Sequence, residues 1–233
     1  QAGLANAYRE SGFLPEWASP GHRGCMVGNN SASVVADALL KGVTPEKEWQ
    51  TLYDAMMYAR TNVHPGVSST GRLGHEYYNR LGYIPYDVKI NENVARTLEY
   101  AYDDWCIAQV ARKLGKTEDA AALEEASRNY RNVFDKTTKL MRGRNENGEF
   151  QSPFSPYKWG DAFTEGNAWH YTWSVFHDVQ GLAELMGGRE GFAEMLDSVF
   201  VVPPIYDDSY YGTRIHEITE MQVADMGNYA HGN

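Results

Sequence analysis

The strongest constraint on the fold is a repeated pairing of helical stretches across tight glycine turns. Val94, Leu98, Ala101, Trp105, Ala108 and Val110 recur at roughly helical spacing, which predicts a helix from Asn91 or Asn93 to Leu114. Gly115 is placed to end it in the left-handed conformation that a side chain resists. Thr117-Glu118-Asp119 then opens a successor through Leu123, Tyr130 and Val133 to Phe134. The arrangement returns later: Trp169 to Met186 reads as a helix, Gly187-Gly188 as its stop, and Arg189 to Phe200 as the partner. Upstream, Ser31 to Lys41 reads as a short helix capped by Ser31 or Ser33. Thr44-Pro45-Glu46-Lys47 starts another that runs to about Arg60, and Gln1 to Glu10 has helical character too. No fixed period is present, which argues against a simple solenoid. Helical hairpins joined by long aromatic loops, Arg142 to Trp159 and Val202 to Gly212, predict an all-α fold of the (α/α) barrel kind, with a helical solenoid as the alternative.

Charge and composition remove several functions. A formal net charge of -10 leaves no basic surface with which to displace counterions from a nucleic acid. No apolar run reaches the length of a membrane span, and Gln1-Ala2-Gly3-Leu4 lacks the pattern of a signal peptide. Cys25 and Cys106 have no metal-ligand spacing and read as small buried side chains more readily than as a disulfide. No phosphate-binding glycine loop or serine triad order is found. The 16 Tyr and 6 Trp are numerous enough to serve both a core and the apolar faces of sugars.

Three segments hold the side chains best suited to chemistry. In Phe163-Thr164-Glu165-Gly166-Asn167-Ala168-Trp169, Glu165 lies among aromatics just before a helix that Gly166 or Asn167 would start. Desolvation there would raise its pKa and suit it to act as a general acid, whereas a helix N-terminus would favour its anion and suit it to capping. Both roles are open on the residues alone. Trp169 and Trp173, four apart, share a helical face that fits a core stripe or a sugar platform. In His216-Glu217-Ile218-Thr219-Glu220, Glu220 stands where a zinc-binding motif would need its second histidine. Oxygen-bearing Glu217, Glu220 and Asn167 suit calcium better, or simply a solvated helix face. In Glu99-Tyr100-Ala101-Tyr102-Asp103-Asp104-Trp105, Glu99 and Asp103 share a face with no base in the same turn, which is costly unless they bind or hydrogen-bond something, and they could serve a substrate, a metal or a loop.

These segments, with Leu14-Pro15-Glu16-Trp17, Cys25-Met26-Val27-Gly28-Asn29-Asn30-Ser31 and Leu81-Gly82-Tyr83-Ile84-Pro85-Tyr86, resemble glycoside hydrolase family 92, the calcium-dependent, exo-acting, inverting α-mannosidases. The likeness runs through nearly the whole chain. It implies a partial (α/α)6 barrel over residues 1–233, with an N-terminal β-sandwich and the C-terminal part of the barrel lying outside the chain. By position, Glu165 resembles the family's general acid. His216 and Glu217 resemble the pair that holds the leaving sugar in members cleaving α-1,2 links. Trp169 is expected at the substrate, and Asn167 and Glu220 near Ca2+. The catalytic base is expected in sequence beyond this chain, so the chain alone is expected to turn over little. The resemblance further implies a mannose-containing glycan as substrate and a secreted, periplasmic or cell-surface location. A barrel glycosidase for α-glucosides and a non-catalytic carbohydrate-binding helical module are the rival readings.

Overall fold

A computed structural model describes residues 1–16, 22–203, 205 and 207–213. About half of the chain is helical with few strands, in keeping with the glycine-punctuated pattern, and the chain divides into two compact units.

The first unit comprises Gln1–Gly82 and Glu99–Asn129. It contains α1 (Ala2–Ser11), α2 (Ser31–Leu40), α3 (Glu46–Ala59), a short hairpin of β1 (Val63–His64) and β2 (Val67–Gly71), and α4 (His75–Leu81). Most of α5 (Asn93–Lys113) and α6 (Thr117–Ala126) complete it. Leu39, Leu52, Met56, Ile107, Val110 and Leu123 meet in one buried cluster, because each helix turns its apolar stripe inward. Gly115 follows α5 at φ 72, the left-handed stop its position predicts. At Gly71 the backbone comes so close to the Asn62 carbonyl that no Cβ fits, and the Arg72 N–H bonds that same carbonyl at 3.0 Å.

The second unit comprises Tyr83–Leu98 and Tyr130–Asn233. Here α5 starts on main-chain anchors: the Val94 and Ala95 N–H groups donate to the Ala162 carbonyl at 3.0 and 3.1 Å. Two residues each of β3 (Phe134–Asp135) and β4 (Leu140–Met141) pair antiparallel, followed by α7 (Ala168–Tyr171), α8 (Val179–Leu185) and α9 (Arg189–Val201).

Several boundaries differ from the sequence expectation, each for a local reason. The helix expected from Trp169 to Met186 is two short ones. The Thr172 hydroxyl bonds back to the Ala168 carbonyl and also accepts the Met141 N–H. Asp178 then caps α8 by accepting the Gly181 N–H at 2.9 Å. The helix expected to reach Phe134 stops at Ala126, and Ser127–Val133 tightens to a 3-10 turn. Neither Ser31 nor Ser33 caps α2: Asn30 holds the cap position, and the Ser31 N–H donates to Glu16. Cys106 is buried as expected, Cys25 is exposed, and both are free thiols.

Candidate functional site

Glu165 lies on a turn held from several directions. Gly160, Asp161 and Glu165 all take positive φ (79, 61 and 46), so the chain reverses tightly between Trp159 and Asn167. The Gly160 N–H closes that reversal on the Gly166 carbonyl at 3.0 Å. The Tyr171 hydroxyl donates to the Thr164 carbonyl at 2.8 Å, and the Phe163 and Tyr171 rings lie 5.4 Å apart. A glutamate at positive φ costs roughly 1–2 kcal/mol in backbone strain, which these bonds must hold in place. Thr164 and Gly166 are buried while Glu165 is half-buried.

Immediately behind it, Asn167 starts α7 with a reciprocal cap. The Trp169 N–H donates to Asn167 Oδ1 at 3.0 Å, and the Asn167 N–H donates to His170 Nδ1 at 3.1 Å. Nδ1 as acceptor puts the proton of neutral His170 on Nε2. The Trp159 and His170 rings meet edge to face at 5.6 Å. Trp169 and Trp173 both pack against the Trp159 and Val199 cluster, so each serves the core. Each also keeps part of its surface exposed, and Trp169 lies four residues from Glu165 in the chain.

The first unit concentrates buried charge. Asp103, 0% exposed, accepts the Asn29 N–H at 3.0 Å on Oδ2, so of the roles open to it the structure shows service to a loop. Asp104, also 0% exposed, receives Arg60 Nε at 2.8 Å and Arg72 Nη1 at 2.7 Å, with the Tyr78 hydroxyl at 3.2 Å on its other oxygen. The two guanidiniums on Asp104 thus come from the residue after α3 and from the residue after β2. Glu16 accepts the Ser31 N–H at 3.2 Å and lines a cavity of about 230 Å³ with Cys25, Met26, Val27, Asn30 and Ser69. Burial, and then the nearby Asp103 carboxylate, push the Glu16 carboxyl up to about 8. The same two causes push Glu99 up to about 8. Burial pushes Asp103 up to about 7, although Arg72 opposes it. Glu16 was not among the residues singled out in the sequence; the signal that could have found it is an acid inside the apolar run Phe13-Leu14-Pro15-Glu16-Trp17.

Of the expected site residues, Glu165, Asn167 and Trp169 fall together on one loop and helix start. His216, Glu217 and Glu220 lie outside the described residues. For calcium, Asn167 can offer only what its cap leaves, since Oδ1 already accepts the Trp169 N–H and the residue is 1% exposed. Among the described residues no three His, Cys, Asp or Glu side chains converge as a metal site, so they do not by themselves make a fit for the ion. No helix among them is long and apolar enough to cross a membrane.

The sequence matches the glycosyl hydrolase family 92 catalytic domain over residues 1–233. It is 49% identical to a family GH92 inverting mannosidase from Bacteroides thetaiotaomicron VPI-5482, covering 100% of this chain and 31% of that one, with a TM-score of 0.85. A family GH92 α-mannosidase from Bacteroides thetaiotaomicron, solved in complex with mannoimidazole, aligns at 35% identity and TM-score 0.78 over 89% of this chain and 27% of its own. An uncharacterized secreted glycosidase of Arthroderma benhamiae is 28% identical over 225 residues, 83% of this chain and 29% of that protein. The chain therefore spans about a third of the length of these relatives. It belongs to glycosyl hydrolase family 92.

Proposed function

We propose, on the premise of that membership, that this chain supplies the general-acid part of an exo-acting, inverting α-mannosidase. The observation that carries the reading is Glu165, a half-buried carboxyl held on a strained turn that Gly160, Gly166, Tyr171 and Thr164 tie down. Strain maintained at one acid, in a family whose solved relatives are named as mannosidases, is the pattern of a preorganised catalytic group. In the proposed step, Glu165 gives its proton to the glycosidic oxygen as the bond from that oxygen to the anomeric carbon breaks. Water then attacks from the opposite face, and its proton passes to a second carboxylate about 6.5–9.5 Å from the first. That carboxylate is proposed to come from polypeptide other than these residues, in keeping with the 31% of the relative's length that they span. The same reasoning extends the helical units to a share of an (α/α)6 barrel.

Finer parts of the proposal rest on the family alone. They are a preference for α-1,2 links through His216 and Glu217, a role for Trp169 beside the sugar, and Ca2+ with Asn167 and Glu220 at its site. Action outside the cell is proposed by analogy with the fungal relative named as secreted.

Glu165→Gln in the complete enzyme tests the acid assignment. Turnover of α-1,2-mannobiose should fall by about 10²–10⁴-fold, the usual weight of general-acid catalysis. An aryl mannoside with an acidic leaving group should suffer far less, because it departs without protonation. Equal losses on both substrates would remove Glu165 from this role. Chelation should abolish turnover and added calcium restore it; unchanged activity in excess EDTA would remove the metal from the proposal.

A further inference from the structure

The aromatic loop that follows α9 reaches back onto the turn that carries Glu165. Main-chain bonds fasten it there: the Trp159 N–H donates to the Asp207 carbonyl at 2.9 Å, and the Asp207 N–H donates to the Tyr157 carbonyl at 3.3 Å. The Tyr211 and Gly212 N–H groups then both donate to the Asp208 carbonyl at 3.1 Å, which bends the segment. Past that bend the Tyr210 and Tyr211 rings meet edge to face, with centroids 4.9 Å apart, against Gly160. A Cβ on Gly160 would stand 2.8 Å from Tyr211 Cε2, and 3.0 Å from both Tyr211 Oη and Tyr210 Cδ1. The two rings therefore fill the space that a side chain at position 160 would take.

This contact gains weight from what Gly160 does. Its N–H closes the reversal on the Gly166 carbonyl, one residue beyond Glu165. The next residue, Asp161, also at positive φ, is secured by its own side chain: Oδ2 accepts the Tyr86 hydroxyl at 2.7 Å and Lys158 Nζ at 3.0 Å. Gly160 has no side chain by which to be secured, and glycine has the most backbone freedom to lose. The tyrosine pair supplies the restraint from outside. Tyr210 is 38% and Tyr211 47% exposed, so neither ring is spent on the core.

We propose that Tyr211 is a positioning residue for Glu165: its ring seals the open side of Gly160 and so keeps the Gly160–Gly166 bond, and the carboxyl between them, in one place. The inference rests on the reading of Glu165 as general acid. Tyr211 acts through the main chain and takes no part in the proton transfer.

Kinetics of the complete enzyme test this. Tyr211→Ala should lower kcat for α-1,2-mannobiose by about 10–10²-fold, the weight of a misplaced catalytic group, with KM within about threefold of wild type. An aryl mannoside with an acidic leaving group should lose less than about threefold, since it departs without protonation. Tyr211→Phe keeps the ring and should keep both rates. A rise in KM with kcat unchanged would overturn the proposal and make Tyr211 a sugar contact. Equal losses on both substrates would overturn it too, as would a loss in Tyr211→Phe as large as in Tyr211→Ala. Amide exchange reads the restraint without chemistry: in Tyr211→Ala it should quicken by about tenfold or more at Gly160 and stay unchanged at Gly181. Unchanged exchange at Gly160, or equal acceleration at both, would refute the positioning role. If Tyr211→Ala does not fold, Tyr211→Leu should show the same split between substrates at smaller size, and no split would refute the idea. Failure here leaves the leaving-group split of Glu165→Gln standing, whereas equal losses in Glu165→Gln remove the acid itself, so the two failures are distinct.

Discussion

The two units treat their acids in opposite ways. In the first, burial dominates: Glu16, Glu99 and Asp103 are all pushed up, and for Glu16 this holds even though Ser31 and the Asn30 N–H donate to it. In the second, burial also pushes upward but donors outweigh it. Asp178 accepts from the Tyr130 hydroxyl at 2.6 Å, the Gly181 N–H and Arg131, and is held below the usual carboxylate range. Asp135 is held low by the Thr137 N–H, Arg142 and Thr138, and Asp207 by Ser209 and Ser155. Position along the chain does not separate these groups; the balance between lost hydration and donated N–H and O–H bonds does. Acids whose donors outweigh burial are held low, whereas those whose burial wins are pushed upward.

The contrast can be broken hardest at Asp104, an acid of the first unit that two guanidiniums and a hydroxyl supply. Asp104→Ala would leave Arg60 and the fully buried Arg72 without their shared anion, and should cost roughly 3–5 kcal/mol in denaturant unfolding. A loss below about 1 kcal/mol would mean that the two guanidiniums find other partners. Next in size is Asp178→Ala, which removes the α8 cap and the acceptor of the Tyr130 hydroxyl. It should lower stability by about 2 kcal/mol, within the range of lost caps and orphaned hydroxyls. Both losses are to be read from denaturant unfolding at constant pH.

The pH dependence of stability is the most diagnostic test. Carboxyls with raised values bind more protons folded than unfolded, so the stability they contribute is complete below their ordinary value of 4.5 and fades as pH climbs towards about 8. Carboxyls with lowered values work in reverse: their contribution is present above the ordinary 3.8 and disappears as pH falls below it. Unfolding midpoints should therefore peak in mild acid, decline from about pH 5 to 8, and fall again under acid. Glu16→Gln should flatten only the alkaline limb. A midpoint that rises from pH 5 to 8 would contradict the raised values in the first unit.

How far the sequence reveals this molecule depends on the range of the interactions concerned. The runs of α5 and α9 and the stop at Gly115 are legible, because periodicity and a glycine at positive φ are local signals. The break between Trp169 and Met186 is not, because it is made by Thr172 bonding the Met141 N–H 31 residues away and by Asp178 meeting the Tyr130 hydroxyl at a separation of 48. The four-residue start of α7 at Asn167 was legible as one of two choices, since asparagine is a strong cap. Glu99 and Asp103 announced an unmet need by their spacing. Arg60 and Arg72, which serve the neighbouring Asp104, and Asn29, which serves Asp103, are 44, 32 and 74 residues distant and left no mark nearby.

The left-handed turn at Glu165 has a consequence for how that position is probed. At φ 46, asparagine or aspartate is at ease where glutamate is not. Glutamine copies the side chain's reach but inherits the backbone's discomfort, while asparagine copies the backbone's preference and gives up a methylene of reach. A pair of variants, Glu165→Gln and Glu165→Asn, therefore divides the residue into its two debts, one to the main chain and one to whatever its carboxyl must touch. A more stable but inert Asn variant would show that the chain keeps an ill-suited residue at this bend for the sake of its functional group.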